Sequence, residues 1–271
     1  MGEKKRLDLI LTDRGFFNSR QISRTNIMCG NVLVDGIKVF KPGEKLDENV
    51  KIEIIGKKEN LYVSRAGVKL KKAIDEFGID LKNKICFDIG ASTGGFTDCM
   101  LKEGASKIFA IDVGYGQLDY RLRIDERVVV LERTNVRYVD EDFFDVKGDF
   151  SCIDVSFISL EKILGKVRSF LKSDGEIVAL IKPQFEAGKG KVNKKGIVKD
   201  KEIHFEVIDK ILNFLRLNKF GILGLSYSPI RGGNGNIEFL VHLSVGSKND
   251  FIDENYIWNI VELSHENQNF S

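Results

Sequence analysis

The stretch Ile85-Cys86-Phe87-Asp88-Ile89-Gly90-Ala91-Ser92-Thr93-Gly94-Gly95-Phe96-Thr97 constrains the fold more than any other. Ile85 to Ile89 is a short apolar run of the kind buried inside a parallel sheet. Gly90 ends it. Gly94 and Gly95 permit a tight turn whose N–H groups can approach a ligand closely. Phe96 opens an amphipathic stretch to about Glu103. Strand, glycine turn and helix in this order form one unit of an α/β sheet, in which ligands sit beyond the carboxyl ends of the strands.

Such a turn serves dinucleotides, S-adenosylmethionine or no ligand at all. Gly90 and the Gly94-Gly95 pair do not complete the G-x-G-x-x-G pyrophosphate fingerprint. The next apolar run, Ile108 to Ile111, ends at Asp112, where a carboxylate can accept hydrogen bonds from ribose hydroxyls. The combination favours an adenosyl ligand without a pyrophosphate over a purely structural turn. On this reading Asp88, Gly90, Ala91, Ser92, Thr93, Gly94, Gly95, Phe96, Asp112 and the following Val113 line the cofactor site. Asn135 is a candidate adenine contact and Val136 an apolar wall.

Seven apolar runs follow residue 84: 85–89, 108–112, 128–131, 150–155, 177–181, 223–227 and 238–245. Helical patterns separate most of them, notably Leu160–Leu171 and Ile203–Leu217. The alternation predicts a doubly wound α/β domain with a seven-stranded, mostly parallel sheet. The last two runs are joined by a short loop, so they are expected to pair antiparallel at the sheet edge.

Residues 1–56 read as a small α+β domain, 57–63 as a linker, 64–247 as the α/β domain, and 248–271 as an acidic tail with helical spacing at Ile257, Ile260, Val261 and Ser264. The formal net charge is +2. Residues 250–271 hold five acids and no Lys or Arg, so residues 1–249 carry +7. A basic body is compatible with a nucleic-acid partner. There is no apolar run of membrane-spanning length and no signal-type block after Met1-Gly2-Glu3-Lys4-Lys5-Arg6, which argues for a soluble, cytoplasmic protein with no membrane partner. Cys29, Cys86, Cys99 and Cys152 lack metal spacing and read as reduced, small hydrophobes; His204, His242 and His265 form no metal constellation.

In the small domain a helix begins near Arg6, and a second begins at Ser19, a candidate N-cap. Arg20 and Arg24 fall one turn apart on one face of that second helix. Gly30 to Gly36 reads as a strand ending in an Asp-Gly turn. Arg6-Leu7-Asp8, Ser19-Arg20, Ile27 and Gly30-Asn31-Val32-Leu33-Val34-Asp35-Gly36 resemble the S4 RNA-binding domain. The resemblance implies that Lys4, Lys5, Arg6, Arg20 and Arg24 face RNA phosphates, against the plainer reading of a solvated basic surface. Arg65, with Lys189 and Lys191 in the lysine-rich stretch Glu186–Lys201, extends the candidate RNA-binding set. That stretch is expected to be a mobile basic loop, and Arg231 to Asn236 a glycine-rich loop shaping the RNA entrance.

Four ionisable residues fall at element ends around the expected site: Lys69 on the helix before the first strand, Asp154 after Phe150–Ile153, Lys182 after Ile177–Ile181, and Glu238 at the start of the last strand. Any one alone is more often a structural salt bridge. Together they match the Lys-Asp-Lys-Glu tetrad of FtsJ-related ribose 2′-O-methyltransferases. The stretches 63–67, 88–97, 112–118, 132–137, 154–160 and 182–186, with the S4-like segment ahead of them, give residues 5–247 a resemblance to the TlyA family of rRNA cytidine 2′-O-methyltransferases, often labelled haemolysins. The resemblance implies a class I methyltransferase fold, S-adenosylmethionine as cofactor, no metal, and ribosomal RNA or ribosomal subunits as partner. It further implies that Lys182 deprotonates or orients the 2′-OH, that Lys69 and Glu238 position the ribose and Lys182, and that Asp154 sits near the methyl group. A ribose hydroxyl is a poor nucleophile and needs a base in reach and a methyl donor in line behind it. The rivals are a membrane-active haemolysin, which would require an apolar or amphipathic segment absent from the sequence, and an RNA-binding module with an inactive methyltransferase fold. Arg6-Leu7-Asp8 also matches the catalytic motif of pseudouridine synthases, but it precedes any catalytic fold.

Overall fold

The computed structural model describes residues 4–17, 20–28, 30–55, 62–188, 190–246 and 249–267. The chain divides into two units, Met1–Arg65 and Ala66–Ser271.

In the first unit, β1 (Lys4–Arg6) leads into α1 (Leu7–Asp13), and α2 (Arg20–Met28) precedes the short strands β2 (Val32–Val34), β3 (Ile37–Lys38), β4 (Lys45–Asp47) and β5 (Ile52–Ile54). Leu7, Ile10 and Leu11 recur at helical spacing and are buried with Ile27, Val32, Val34 and Ile52 in one cluster. The strand β2 pairs antiparallel with β3 and β5. Asp35 and Gly36 both adopt positive φ between β2 and β3, as a two-residue hairpin turn requires. The first helix starts at Leu7, one residue later than its periodicity suggests, because Lys4–Arg6 pair antiparallel with Lys45–Asp47. Ser19 and Cys29 lie outside the described residues.

The second unit opens with α3 (Ala66–Phe77), followed by β6 (Ile85–Ile89), α4 (Gly95–Lys102), β7 (Lys107–Ile111), α5 (Tyr120–Arg123), β8 (Val128–Leu131), β9 (Gly148–Ile153) and α6 (Leu164–Ser169). It continues through β10 (Leu171–Ile181), α7 (Pro183–Glu186), α8 (Lys201–Leu217), β11 (Gly221–Tyr227), β12 (Phe239–Ser244) and α9 (Glu254–Asn267). Its seven-stranded sheet runs β11-β12-β10-β9-β6-β7-β8. Five strands pair in parallel, β11 runs in the same direction, and β12 alone is reversed, antiparallel to both β10 and β11. The late hairpin is therefore antiparallel as expected, but its second strand is inserted inside the sheet and only β11 forms the edge. The strands β6 and β10 sit between neighbours on both sides, which explains their unbroken apolar runs. Beneath them Phe87, Phe109, Phe144 and Phe170 interlock with ring centroids 4.8–5.7 Å apart. The stripe His204, Val207, Ile208, Ile211, Leu212 and Leu215 buries one face of α8.

The helix expected over 160–171 is interrupted. A 3₁₀ turn covers Leu160–Lys162, α6 ends at Ser169, and Leu171 already belongs to β10, where it pairs with Gly148. Strand pairing overrides a helical period that is correct only as far as Phe170. The α9 helix packs on α8 and β11, with Ile257, Ile260, Val261 and Ser264 buried. Two of the tail's acids are paired there: Asp250 with Arg216 at 2.6 Å, and Glu262 with Lys201.

Candidate active site

The carboxyl ends of β6, β7, β9 and β10 meet the entry to β12, and the side chains there form an alternating row of charge. Lys182 pairs with Asp154 Oδ1 and donates to Ser156 Oγ at 3.3 Å. The other Asp154 oxygen lies 3.6 Å from Lys69 Nζ, which donates to Glu238 Oε2 at 2.6 Å. Lys69, Lys182 and Glu238 are 7%, 8% and 2% exposed, so two ammonium groups and two carboxylates balance each other out of water. Burial alone would push the Asp154 carboxyl up, yet the lysine charges and hydrogen bonds hold it below the usual carboxylate range. Of the three donors on the Lys182 ammonium, Asp154 and Ser156 engage two. The third can meet a hydroxyl oxygen.

The glycine turn abuts this row. Gly90 has φ +89°, and a Cβ there would lie 2.4 Å from the Asp154 carbonyl oxygen. The Asp154 N–H donates back to Ile89 at 2.9 Å. Across the turn, Asp112 accepts Ser92 N at 2.8 Å through one oxygen and Gly114 N at 2.6 Å through the other. It therefore braces the 91–94 turn against the 112–116 loop, and each oxygen keeps a lone pair for a ribose hydroxyl. Gly90, Ser92, Thr93 and Asp112 thus form a cradle with acceptors at its rim, whose donor set would fit an adenosyl group.

Other candidate cofactor residues act from beneath. Asp88 is fully buried; Thr97 Oγ1 donates to it at 2.6 Å and Cys152 Sγ at 3.6 Å. Burial pushes its carboxyl up to about 7 against those hydrogen bonds. It ties β6 to α4 and shapes the turn rather than offering an oxygen to the open side. Phe96 and Ala91 are buried in the same layer, Gly94 caps α4 and Gly95 is its first residue. Val113 is exposed and Val136 buried. The Asn135 Oδ1 accepts Arg137 N at 3.2 Å and caps the 3₁₀ turn Val136–Tyr138.

The candidate RNA residues are not uniformly available. The fully buried Asp8 accepts from Arg6 (2.9 and 3.0 Å) and Arg20 (3.1 Å), and the Arg6 hydrogen bond is the main cause of its lowered pKa. The two guanidinium groups stay partly exposed, so Asp8 orients them. Lys5 bridges Asp13 and Glu48 at 2.7 and 2.8 Å. Lys4, Arg24 and Arg65 are exposed. Lys191 pairs with Glu206, and Lys189 lies outside the described residues. The basic stretch is tied to the glycine-rich loop near its end: the Asn236 side chain accepts Val198 N at 3.0 Å and donates to Gly196 O at 2.9 Å.

The sequence reading missed four contributors. Ser156 holds Lys182. Phe157, three residues after Asp154, has φ +64° and is 90% exposed, with Phe185 at a centroid distance of 4.9 Å. Gly232 leaves room for Glu238: a Cβ there would fall 1.9 Å from Glu238 Oε1. An aromatic residue just past a strand-end acid was a usable signal; the positive φ and the glycine's neighbour are not visible in one dimension. Among the described residues no His, Cys, Asp or Glu cluster is arranged to hold a metal ion, and no helix is long and apolar enough to cross a membrane.

YqxC of Bacillus subtilis (strain 168), named as a candidate rRNA methyltransferase, is 46% identical to this chain over 268 residues, 97% of this chain and 95% of its own length. The Mycobacterium tuberculosis (strain CDC 1551 / Oshkosh) protein named 16S/23S rRNA (cytidine-2′-O)-methyltransferase TlyA is 37% identical over 243 residues, 90% and 91% of the two chains. A solved structure described as a candidate hemolysin from Streptococcus thermophilus matches with a TM-score of 0.79 at 40% identity, covering 100% of this chain and 98% of that one. The FtsJ-like methyltransferase sequence model matches residues 62–245, more than half of the chain and the whole of the glycine turn and charged row, so the chain belongs to the FtsJ-like methyltransferase family.

Proposed function

We propose that this chain methylates the 2′-hydroxyl of a cytidine ribose in ribosomal RNA, using S-adenosylmethionine, and acts in the cytoplasm. The observation that carries the reading is the buried Lys182–Asp154–Lys69–Glu238 row set against the Gly90 turn. The names of the relatives support the choice of ribosomal RNA and of cytidine. S-adenosylmethionine supplies an electrophilic methyl group. The turn at Gly90–Gly94 and the Asp112 carboxylate hold its adenosyl part, with Asn135 and Val136 at the base. Lys182 Nζ, as the neutral amine, holds the 2′-hydroxyl in line and accepts its proton, becoming the ammonium that Asp154 and Ser156 hold. Asp154 fixes the Lys182 amine from the far side. Lys69 and Glu238 keep Asp154 in register and touch the ribose. The aromatic pair Phe157 and Phe185 offers a stacking face for a base withdrawn from its helix.

The unit Met1–Arg65 then acts as the RNA-docking module, in keeping with its S4-like motifs, through Lys4, Lys5, Arg6, Arg20, Arg24 and Arg65, while Lys189 and Lys191 contribute from the larger unit. Its salt dependence is expected to follow the number of phosphates neutralised.

The test is transfer of labelled methyl from S-adenosylmethionine to isolated ribosomal subunits, followed by nucleoside digestion, for the wild type and Lys182→Ala. Label in 2′-O-methylcytidine that is lost in the variant, with cofactor binding retained, is the expected result. Full turnover in Lys182→Ala would sink the assignment of the base. Label in any other nucleoside, or in none, would overturn the substrate.

A further inference from the structure

Glu186 takes no part in the row of charge, yet it is 5% exposed and its carboxyl is pushed up by burial. It lies one helical turn after Lys182, at the end of the four-residue α7 that Pro183 starts. Its Oε1 accepts the Leu160 N–H at 2.8 Å. Leu160 is 1% exposed and begins the 3₁₀ turn that Ser159 caps. The loop from Asp154 to Leu160 is therefore held at both ends by one short segment. Lys182 grips Asp154 and Ser156 at one end, and Glu186 grips Leu160 at the other. Between the two grips stands Phe157, in the left-handed region that a phenylalanine adopts only when its surroundings force it. Its ring leans on Phe185, which belongs to the same gripping segment.

We infer that Glu186 is a positioning residue for the transfer reaction: it clamps the Asp154–Leu160 loop so that Phe157 is presented beside Lys182. The inference rests on the proposed function above, because presentation matters only if Phe157 receives a base. Without the carboxylate, the buried Leu160 N–H loses its acceptor and the strained residue loses one of its two constraints. The loop then relaxes, Phe157 moves off the site, and the target ribose is no longer in line with Lys182. The charge itself is not required, since a glutamine presents the same Oε1 to Leu160.

The test uses the full chain with ribosomal subunits, comparing wild type, Glu186→Ala, Glu186→Gln, Phe157→Ala and the Glu186→Ala/Phe157→Ala double variant. Measured are kcat and KM for the subunit, S-adenosylmethionine affinity and thermal stability. Glu186→Ala is expected to lower kcat/KM about ten- to a hundredfold, the scale of a misplaced reacting group. Cofactor affinity should stay unchanged, and Glu186→Gln should restore most of the loss. The double variant should be no worse than Phe157→Ala alone, because both changes remove one device. Where Glu186→Ala does not fold, Glu186→Asp carries the same expectation, since its shorter stem leaves Leu160 unreached. Additive losses in the double variant, a Glutamine variant as poor as the alanine one, or wild-type kinetics in Glu186→Ala would each overturn the inference. A wild type with no transfer to either subunit would instead overturn the proposed function.

Discussion

Replacing Lys69 by methionine separates what the charged row does for stability from what it does for chemistry. Methionine keeps most of the volume and removes the ammonium. Glu238, 2% exposed, then loses the partner that donates to it at 2.6 Å, and Asp154 keeps only Lys182. An uncompensated buried charge costs about 3–5 kcal/mol. At roughly 2–4 °C per kcal/mol for a unit of this size, the larger unit's thermal midpoint should fall by about 6–20 °C. Lys182→Met should cost much less, because Asp154 has a side chain 16% exposed and keeps Lys69 at 3.6 Å. Adding Glu238→Gln to Lys69→Met removes the stranded charge and should recover most of the lost stability without recovering methyl transfer. The assay is calorimetry of the full chain in parallel with transfer to ribosomal subunits. Equal midpoints for Lys69→Met and wild type would refute the argument that Glu238 depends on Lys69. So would a Lys69→Met/Glu238→Gln variant no more stable than the single one.

Gly232→Ala tests the same row from its far side. Gly232 has φ −74°, so alanine adds no backbone strain and only the Cβ clash at 1.9 Å from Glu238 Oε1 remains; methyl transfer should fall at least about tenfold with cofactor affinity intact, and unchanged transfer would show that the carboxylate's place is not critical. His204 supplies the acid limb of stability. Burial, with His265 at 2.9 Å, lowers its pKa from 6.5 to about 4. The unfolded chain thus binds this proton first, and stability present above pH 6.5 is lost as pH falls toward 4, by about 3 kcal/mol. Urea melts across that range should show the slope, and His204→Gln should flatten it; an unchanged slope would assign it elsewhere. Asp88 acts with the opposite sign: burial raises its pKa to about 7, so stability is highest below pH 4 and declines by roughly 4 kcal/mol as pH rises through 7. Asp88→Asn should remove that decline, and a decline that persists would locate it in another group.

The sheet was legible because its inner strands announce themselves. Ile85–Ile89 and Ile177–Ile181 have neighbours on both sides and so carry no polar alternation. The positions of Lys69, Asp154, Lys182 and Glu238 were legible as element ends, but their order of contact was not. Nothing in one dimension says that Asp154 is shared between two lysines while Glu238 serves one. Segments whose local pattern competes with a pairing partner misled the reading. Leu171 continues a helical period yet pairs with Gly148, and Arg6 reads as the start of a helix yet pairs with Lys45. For Phe157 the residue type was legible and its conformation was not: it is an exposed apolar residue at positive φ, and local propensity argues against both.

The charge balance shows how far composition can be carried. The contrast between a +7 body and a tail with five acids suggests two surfaces of opposite sign. In the fold, however, Asp250 is held by Arg216 and Glu262 by Lys201, both on α8, while Glu254 and Glu266 stay at the helix ends. The tail is thus bound by α8 cations rather than held out as an acidic arm, and α9 buries Ile257, Ile260 and Val261 against the same helix. An RNA-facing surface must therefore be built from cations not taken up in this way. Lys194, Lys195 and Lys199 are exposed on the loop that Asn236 pins at Gly196 and Val198. The pin fixes where those three charges stand relative to Glu238, two residues further along the strand entry, so the same asparagine that orders the loop also sets its distance from the charged row.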